Sequence, residues 1–155
     1  TCNSMLIGGY HDNRDATSQA LLDGYFSVGD LARVDSDGYV YLQSRKSDMV
    51  ISGGVNIYPR EIEDLLITHP HIVEAAVIGV PDAKWGEAVK AVCVPKPGMQ
   101  VDVESVMNWA RERIAGFKVP RSVDVIEALP RNASGKILRK DLRAPYWAGY
   151  DRQVN

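Results

Sequence analysis

From residue 49 onward the sequence predicts a small α+β domain: a short, mainly antiparallel sheet with helices packed on it. Three observations carry that prediction. Apolar runs of strand length recur at residues 49–51, 72–80, 88–94 and 122–126, bounded by turn-forming residues. Two further stretches carry helical spacing, Ile62, Leu65 and Leu66 in the first. In the second, Val103, Val106, Met107, Ala110 and Ile114 fall at i, i+3, i+4, i+7 and i+11. Read in order the segments give β-α-β-β-α-β-α, an α+β arrangement around one modest core.

The elements follow one by one. Residues 16–22 form a short helix ended by Gly24. Residues 31–34 and 39–42 are strand-like, and Asp35-Ser36-Asp37-Gly38 joins them as a β-hairpin, with Gly38 free to take a left-handed conformation. The strand at 49–51 runs into Gly53-Gly54, and a helix then starts at Pro59, whose fixed φ suits a first helical position. Glu61, Glu63 and Asp64 complement the positive end of that helix, which stops before Pro70. Runs 72–80 and 88–94 are strands around the loop 81–87, and Asp102 caps the next helix. In the strand 122–126, Val123 and Val125 alternate with Asp124. Residues 130–143 read as a turn-rich loop entering a short helix.

Bulk properties narrow the function. The 155 residues suffice for one domain, or one domain with an appendage. Composition is 45% hydrophobic and 25% charged, near the soluble globular average. Eighteen basic against twenty acidic side chains leave a net charge of −2, so no bulk positive field draws nucleic acid or an anionic membrane. The longest nearly apolar run, 75–81, is too short for a transmembrane segment, and no signal peptide is indicated. Cys2 and Cys93 make no disulfide framework; Cys93 is expected to be a buried free thiol, in keeping with a reducing, cytoplasmic setting. His11, His69 and His71 have no Cys or carboxylate cluster beside them, so we expect surface histidines and no metal site.

Individual motifs are weak. Ser134-Gly135-Lys136 resembles the end of a phosphate-binding loop, but Pro130 stands where a glycine is needed and Ile137 where Ser or Thr is. Lys136 can still place a point charge on a phosphate or carboxylate. Lys136, Arg139, Lys140 and Arg143 lack interleaved aromatics and read as a solvated helix face rather than a nucleic-acid site. Asp30, after Gly29, is a carboxylate able to accept hydrogen bonds from ribose hydroxyls, or a turn aspartate.

Together the motifs resemble one family. Tyr25-Phe26-Ser27-Val28-Gly29-Asp30, Asp37-Gly38-Tyr39, Ser44-Arg45-Lys46-Ser47-Asp48 and Ile51-Ser52-Gly53-Gly54-Val55-Asn56-Ile57-Tyr58-Pro59 come first. Gly79-Val80-Pro81-Asp82, Trp85-Gly86-Glu87, Phe117-Lys118-Val119-Pro120-Arg121 and Leu129-Pro130-Arg131-Asn132-Ala133-Ser134-Gly135-Lys136 follow in order. The chain resembles the C-terminal part of the adenylate-forming acyl-CoA synthetases. The resemblance implies an ATP-dependent ligase in which a carboxylic acid becomes an acyl-adenylate and CoA then displaces AMP. A fatty acid is the expected substrate.

By resemblance, Asp30 holds the adenylate ribose, Arg45 contacts ribose and phosphate, and Lys136 serves adenylation. Gly53 and Gly54 face the CoA pantetheine channel. Lys46, Ser47 and Asp48 form the hinge on which a mobile domain, residues 46–155, turns against a large N-terminal domain whose end is residues 1–45. The Mg²⁺ site and the acyl pocket are expected in that N-terminal part, and the 155 residues alone are expected to be inactive. Ser44, Ser47 and Val28 depart from the residues usual at their positions. Two alternatives stand beside this: a peptide-synthetase adenylation domain, against which Ser52-Gly53-Gly54-Val55-Asn56 argues, and a non-catalytic α+β module binding a nucleotide or a partner protein.

Overall fold

A computed structural model describes residues 8–23 and 25–150. The expectations placed on Cys2 and Gly24 lie outside those residues. The chain forms two compact units that part between Ser47 and Asp48.

In the first unit, α1 (Arg14–Ala20) begins where Asn13 Oδ1 accepts from the Ala16 N–H at 3.0 Å. This Asn cap starts the helix two residues before the expected position. Leu21 and Leu22 leave it to pair, as β1 (Leu21–Leu22), with β2 (Tyr25–Phe26). The expected hairpin is β3 (Asp30–Val34) against β4 (Val40–Arg45). Its turn is organised by Asp35, whose Oδ1 accepts from the Asp37 and Tyr39 N–H groups, and Gly38 has φ +86°.

The second unit is the α+β domain. Its sheet contains β5 (Val50–Ser52), β6 (Val55–Ile57), β7 (Ile72–Asp82), β8 (Gly86–Pro95) and β9 (Ser122–Val125). The order β6-β5-β8-β7 is antiparallel throughout, while β9 pairs in parallel with β8 from Lys90↔Ser122 to Cys93↔Val125. On one face lie α2 (Pro59–Leu66) and α3 (Val103–Arg111), which give Ile62, Leu66 and Val106 to a core with Val77, Val89, Ala91 and Cys93. On the other lies α4 (Arg139–Trp147), whose Leu142 and Tyr146 cover Ala76, Ile78, Val92 and Val94. Each fully buried Ile or Leu contributes about 1.5–3 kcal/mol. Covering both faces explains the near-continuous apolar runs of β7 and β8, where successive residues serve opposite cores.

Several local readings are corrected. The sequence did not mark β6, a three-residue strand with only Ile57 buried. The loop expected at 81–87 shrinks, because pairing continues to Asp82↔Gly86. Val103 is exposed and Ile114 packs from beyond the end of α3, while Val125 is exposed on β9. His69 is not a surface residue. It is 4% exposed, with its ring edge-on to Trp109 at 5.2 Å and Nε2 3.4 Å from Ser105 Oγ. Burial, with smaller contributions from His71, Lys96 and Arg113, lowers its pKa and favours the neutral imidazole. Cys93 is a buried free thiol, as expected, and burial pushes its pKa up to about 12.

Candidate functional site

Asp30 and Arg45 are cross-strand partners at the open end of the β3–β4 hairpin. Arg45 Nε lies 3.6 Å from Asp30 Oδ1, with both side chains partly exposed. The Lys46 N–H donating to Gly29 O at 2.8 Å closes this end. A pair so solvated adds at most about 1 kcal/mol to stability. Its chemistry is the more useful property: a carboxylate that accepts two hydroxyl hydrogen bonds, beside a guanidinium that donates to a phosphate. Val28, just before, is exposed, and Lys46–Asp48 form a single 3-10 turn.

Gly53 and Gly54 are the two-residue turn between β5 and β6, flanked by the pair Ser52↔Val55. Their φ values of +58° and +80° are those of the turn that matches strand twist, which L side chains adopt at a cost. Space constrains Gly53 as well, since a Cβ there would sit 2.6 Å from the Trp85 ring. The Gly53 N–H donates to Trp85 O at 2.8 Å. The Trp85 ring in turn has Lys84 Nζ at 4.8 Å and Arg121 Cζ at 5.6 Å from its centroid. Glu87 Oε2 accepts from the Ile51 N–H at 3.0 Å and pins β5. Trp85, Glu87 and Arg121 had stood in recognisable motifs without an assigned part. Only the folded chain shows that they support the glycine turn.

Gly53→Ala therefore meets two penalties, a left-handed φ and a clash with an aromatic ring. We expect it to lower stability by about 1–3 kcal/mol, read as a lower urea midpoint, whereas Gly54→Ala, with open space around it, loses only the φ component.

Lys136 sits in a loop built by Asn132. Asn132 Oδ1 accepts from the Ser134 and Lys136 N–H groups, and Asn132 N–H donates to Lys136 O at 3.0 Å. Gly135 has φ +79° at the tip. Arg131 bridges Gly135 O at 2.7 Å and Glu74 Oε1 at 2.8 Å, which ties the loop to β7. The loop is held through its backbone. The Lys136 side chain is exposed, and among the described residues no hydrogen bond or ion pair of its ammonium is found. A cation so placed is available to an incoming anion.

The glycine turn and the lysine loop stand at opposite ends of the β7–β8 ladder. Gly53 bonds to the residue beside Gly86, which pairs with Asp82, while Arg131 grips Glu74. Seven residues of strand separate Asp82 from Glu74, roughly 25 Å.

Arg139 and Arg143 do not form a solvated face, as the sequence had implied. Arg139 Nη2 donates to Glu63 Oε1 and Oε2 at 2.6 and 2.8 Å, and Arg143 is 7% exposed. Glu63, expected to complement the helix dipole, is turned inward, and its Oε1 also accepts from the Val77 N–H at 2.8 Å. Burial of α4 against the sheet imposes this: guanidinium groups that leave water need carboxylates. Lys140 alone of the helix's three basic residues stays exposed. Among the described residues no group of three or more His, Cys, Asp and Glu can hold a metal ion, and no helix is long and apolar enough to cross a membrane.

Comparison with known proteins shows what the chain as a whole is similar to. Residues 61–136 match the AMP-binding enzyme C-terminal domain. The chain is 49% identical to a feruloyl-CoA synthase of Amycolatopsis sp over 138 residues, 89% of the chain and 28% of that protein. It is 43% identical to the fatty acid–[acyl-carrier-protein] ligase ScoC of Streptomyces coeruleorubidus over 141 residues, 91% of the chain and 27% of the relative. The crystal structure of ATP-bound MatB from Rhodopseudomonas palustris superposes with a TM-score of 0.84 at 40% identity, covering 93% of this chain and 29% of that one. The chain thus spans less than a third of the length of these relatives.

Proposed function

We propose, from the match of residues 61–136 to the AMP-binding enzyme C-terminal domain, that the chain is the C-terminal part of an ATP-dependent acyl-CoA synthetase. In the proposed reaction a carboxylate oxygen attacks the α-phosphorus of ATP and pyrophosphate leaves. The CoA thiol then attacks the acyl carbon and AMP leaves, giving the thioester. Asp30 accepts from the ribose hydroxyls and Arg45 steadies ribose and phosphate. Lys136 offsets the negative charge that builds as the carboxylate meets the α-phosphate. Gly53 and Gly54 leave room for the pantetheine arm.

The observation that carries this reading is the separation of the lysine loop from the glycine turn along one rigid ladder. Two half-reactions at one adenylate then call for two orientations of the domain, with Lys46, Ser47 and Asp48 absorbing the backbone change. Residues 1–45 are proposed to end a large domain and 46–155 to be the moving one. The partner of that motion is the enzyme's own N-terminal domain, which we propose also holds the acyl pocket and Mg²⁺, a cation that neutralises triphosphate charge.

For the acid we propose a fatty acid, a reading supported by the likeness to ScoC. The likeness to a feruloyl-CoA synthase makes an aromatic acid the second reading. The test supplies ATP, CoA and a panel of fatty and aromatic acids to the full-length enzyme, following pyrophosphate and thioester. Thioester from fatty acids supports the proposal, and thioester from aromatic acids alone replaces the substrate. Absence of pyrophosphate with every acid defeats the ligase reading. The 155 residues alone are expected to form no thioester.

A further inference from the structure

α4 begins three residues after Lys136, and its two inward arginines reach back to the start of the second unit. Arg143 Nη2 donates to the Asp48 backbone O at 3.2 Å and lies 3.7 Å from Asp48 Oδ1. Arg139 Nη1 lies 3.8 Å from Asp48 Oδ2, while its Nη2 holds Glu63. Asp48 is thereby gripped at its carboxylate and at its carbonyl, by side chains 22% and 9% exposed. The helix itself cannot drift, because Leu142 and Tyr146 pack on the sheet and Trp147 Nε1–H donates to Gly79 O at 2.9 Å. At its other end the Leu138 N–H donates to Pro130 O at 2.8 Å and closes the Lys136 loop.

We propose that Arg139 and Arg143 are positioning residues that clamp Asp48 to α4, so that the Lys136 loop and the last residue of the pivot form one stiff arm. The proposal rests on the ligase reading given above. A clamped Asp48 carbonyl fixes the peptide plane leading out of the pivot. Of the three pivot residues proposed above, the clamp leaves the backbone rotation to Lys46 and Ser47, and a turn there is delivered undiminished to Lys136. Without the clamp, Asp48 would absorb part of the rotation, and Lys136 would reach its anion in a smaller fraction of encounters.

The test uses the full-length enzyme with Asp48→Asn, Arg143→Lys and the two combined. Arg143→Lys retains the charge but not the guanidinium Nη2 that reaches the Asp48 carbonyl at 3.2 Å and its carboxylate at 3.7 Å. Asp48→Asn retains size and the backbone carbonyl, so a folded variant remains available if one of the two fails to fold. Each single variant is expected to slow pyrophosphate release about tenfold. Thioester formation from supplied acyl-adenylate should fall less, and the double variant should be no slower than the slower single one. Trypsin cleavage after Arg45 and Lys46 should be several-fold faster than in the wild type, at unchanged rates elsewhere.

Folded variants with unaltered pyrophosphate release and unaltered cleavage at the pivot overturn the clamp. So do additive losses that affect both half-reactions equally, the outcome of a merely structural role. Faster pivot cleavage in an enzyme whose wild type releases no pyrophosphate keeps the clamp and removes the ligase reading, so the two fail separately.

Discussion

Lys136→Ala is expected to slow adenylation by roughly a hundred- to a thousand-fold, the usual cost of removing one preorganised group that stabilises developing charge. The loop should survive the change. Asn132 holds residue 136 by its N–H and carbonyl, and the side chain is exposed. Truncating such a side chain shifts stability by no more than about 0.5 kcal/mol. Loss of rate can therefore be read as loss of chemistry. Pyrophosphate release by the full-length enzyme, and thioester formation from supplied acyl-adenylate, should be followed separately. We expect the first to collapse and the second to persist, since the proposed second orientation presents the glycine turn instead. Equal loss in both would mean that one orientation serves both steps. Survival of both would remove Lys136 from the mechanism.

Arg139→Met should be the most destabilising of the substitutions considered. The methionine keeps much of the packing of the arginine stem but leaves Glu63, 8% exposed, with its carboxylate facing only the Val77 N–H among the bonds found for it. Breaking a buried pair from one side costs about 3–5 kcal/mol, because the remaining charge is desolvated without compensation. A urea midpoint that falls with an unchanged slope is the expected signature. Pairing the change with Glu63→Gln should restore part of the loss, since the neutral amide does not leave a charge in the interior. A single variant as stable as the wild type would show that water already reaches Glu63.

Much of the fold was legible because period and punctuation agree. Pro59 and Asp102 mark the starts of α2 and α3, and the Asp102 Oδ2 cap on the Ser105 N–H is formed at 2.9 Å. Asp35 and Gly38 mark the hairpin. What escaped was decided by tertiary contact. β6 is three residues long and carries no alternation of its own; it exists because Gly53-Gly54 folds it back on β5. His69, Arg139 and Arg143 are polar residues whose inward placement no local pattern records, since their partners lie 36, 76 and 95 positions away. Asp30, Arg45, Gly53, Gly54 and Lys136 were singled out from motifs, and their chemistry belongs to the proposed function. The residues that hold the glycine turn and the lysine loop, Arg131, Asn132, Trp85 and Glu87, lay in the quoted motifs without a visible task.

The span of these contacts also orders the assembly of the second unit. β7 and β8 pair through a tight turn, from Asp82↔Gly86 outward, so every rung forms at little loop-closure cost once the first is made. The arginine contacts of α4 are the reverse, closing 76 and 95 positions of chain before any reward is gained. The hairpin is thus positioned to nucleate and α4 to arrive last. A helix that docks after the rate-limiting barrier governs how fast the native state is lost more than how fast it is reached. The arginine contacts of α4 then act as a latch on lifetime: loosening them shortens the survival of the folded domain while leaving its refolding nearly as quick.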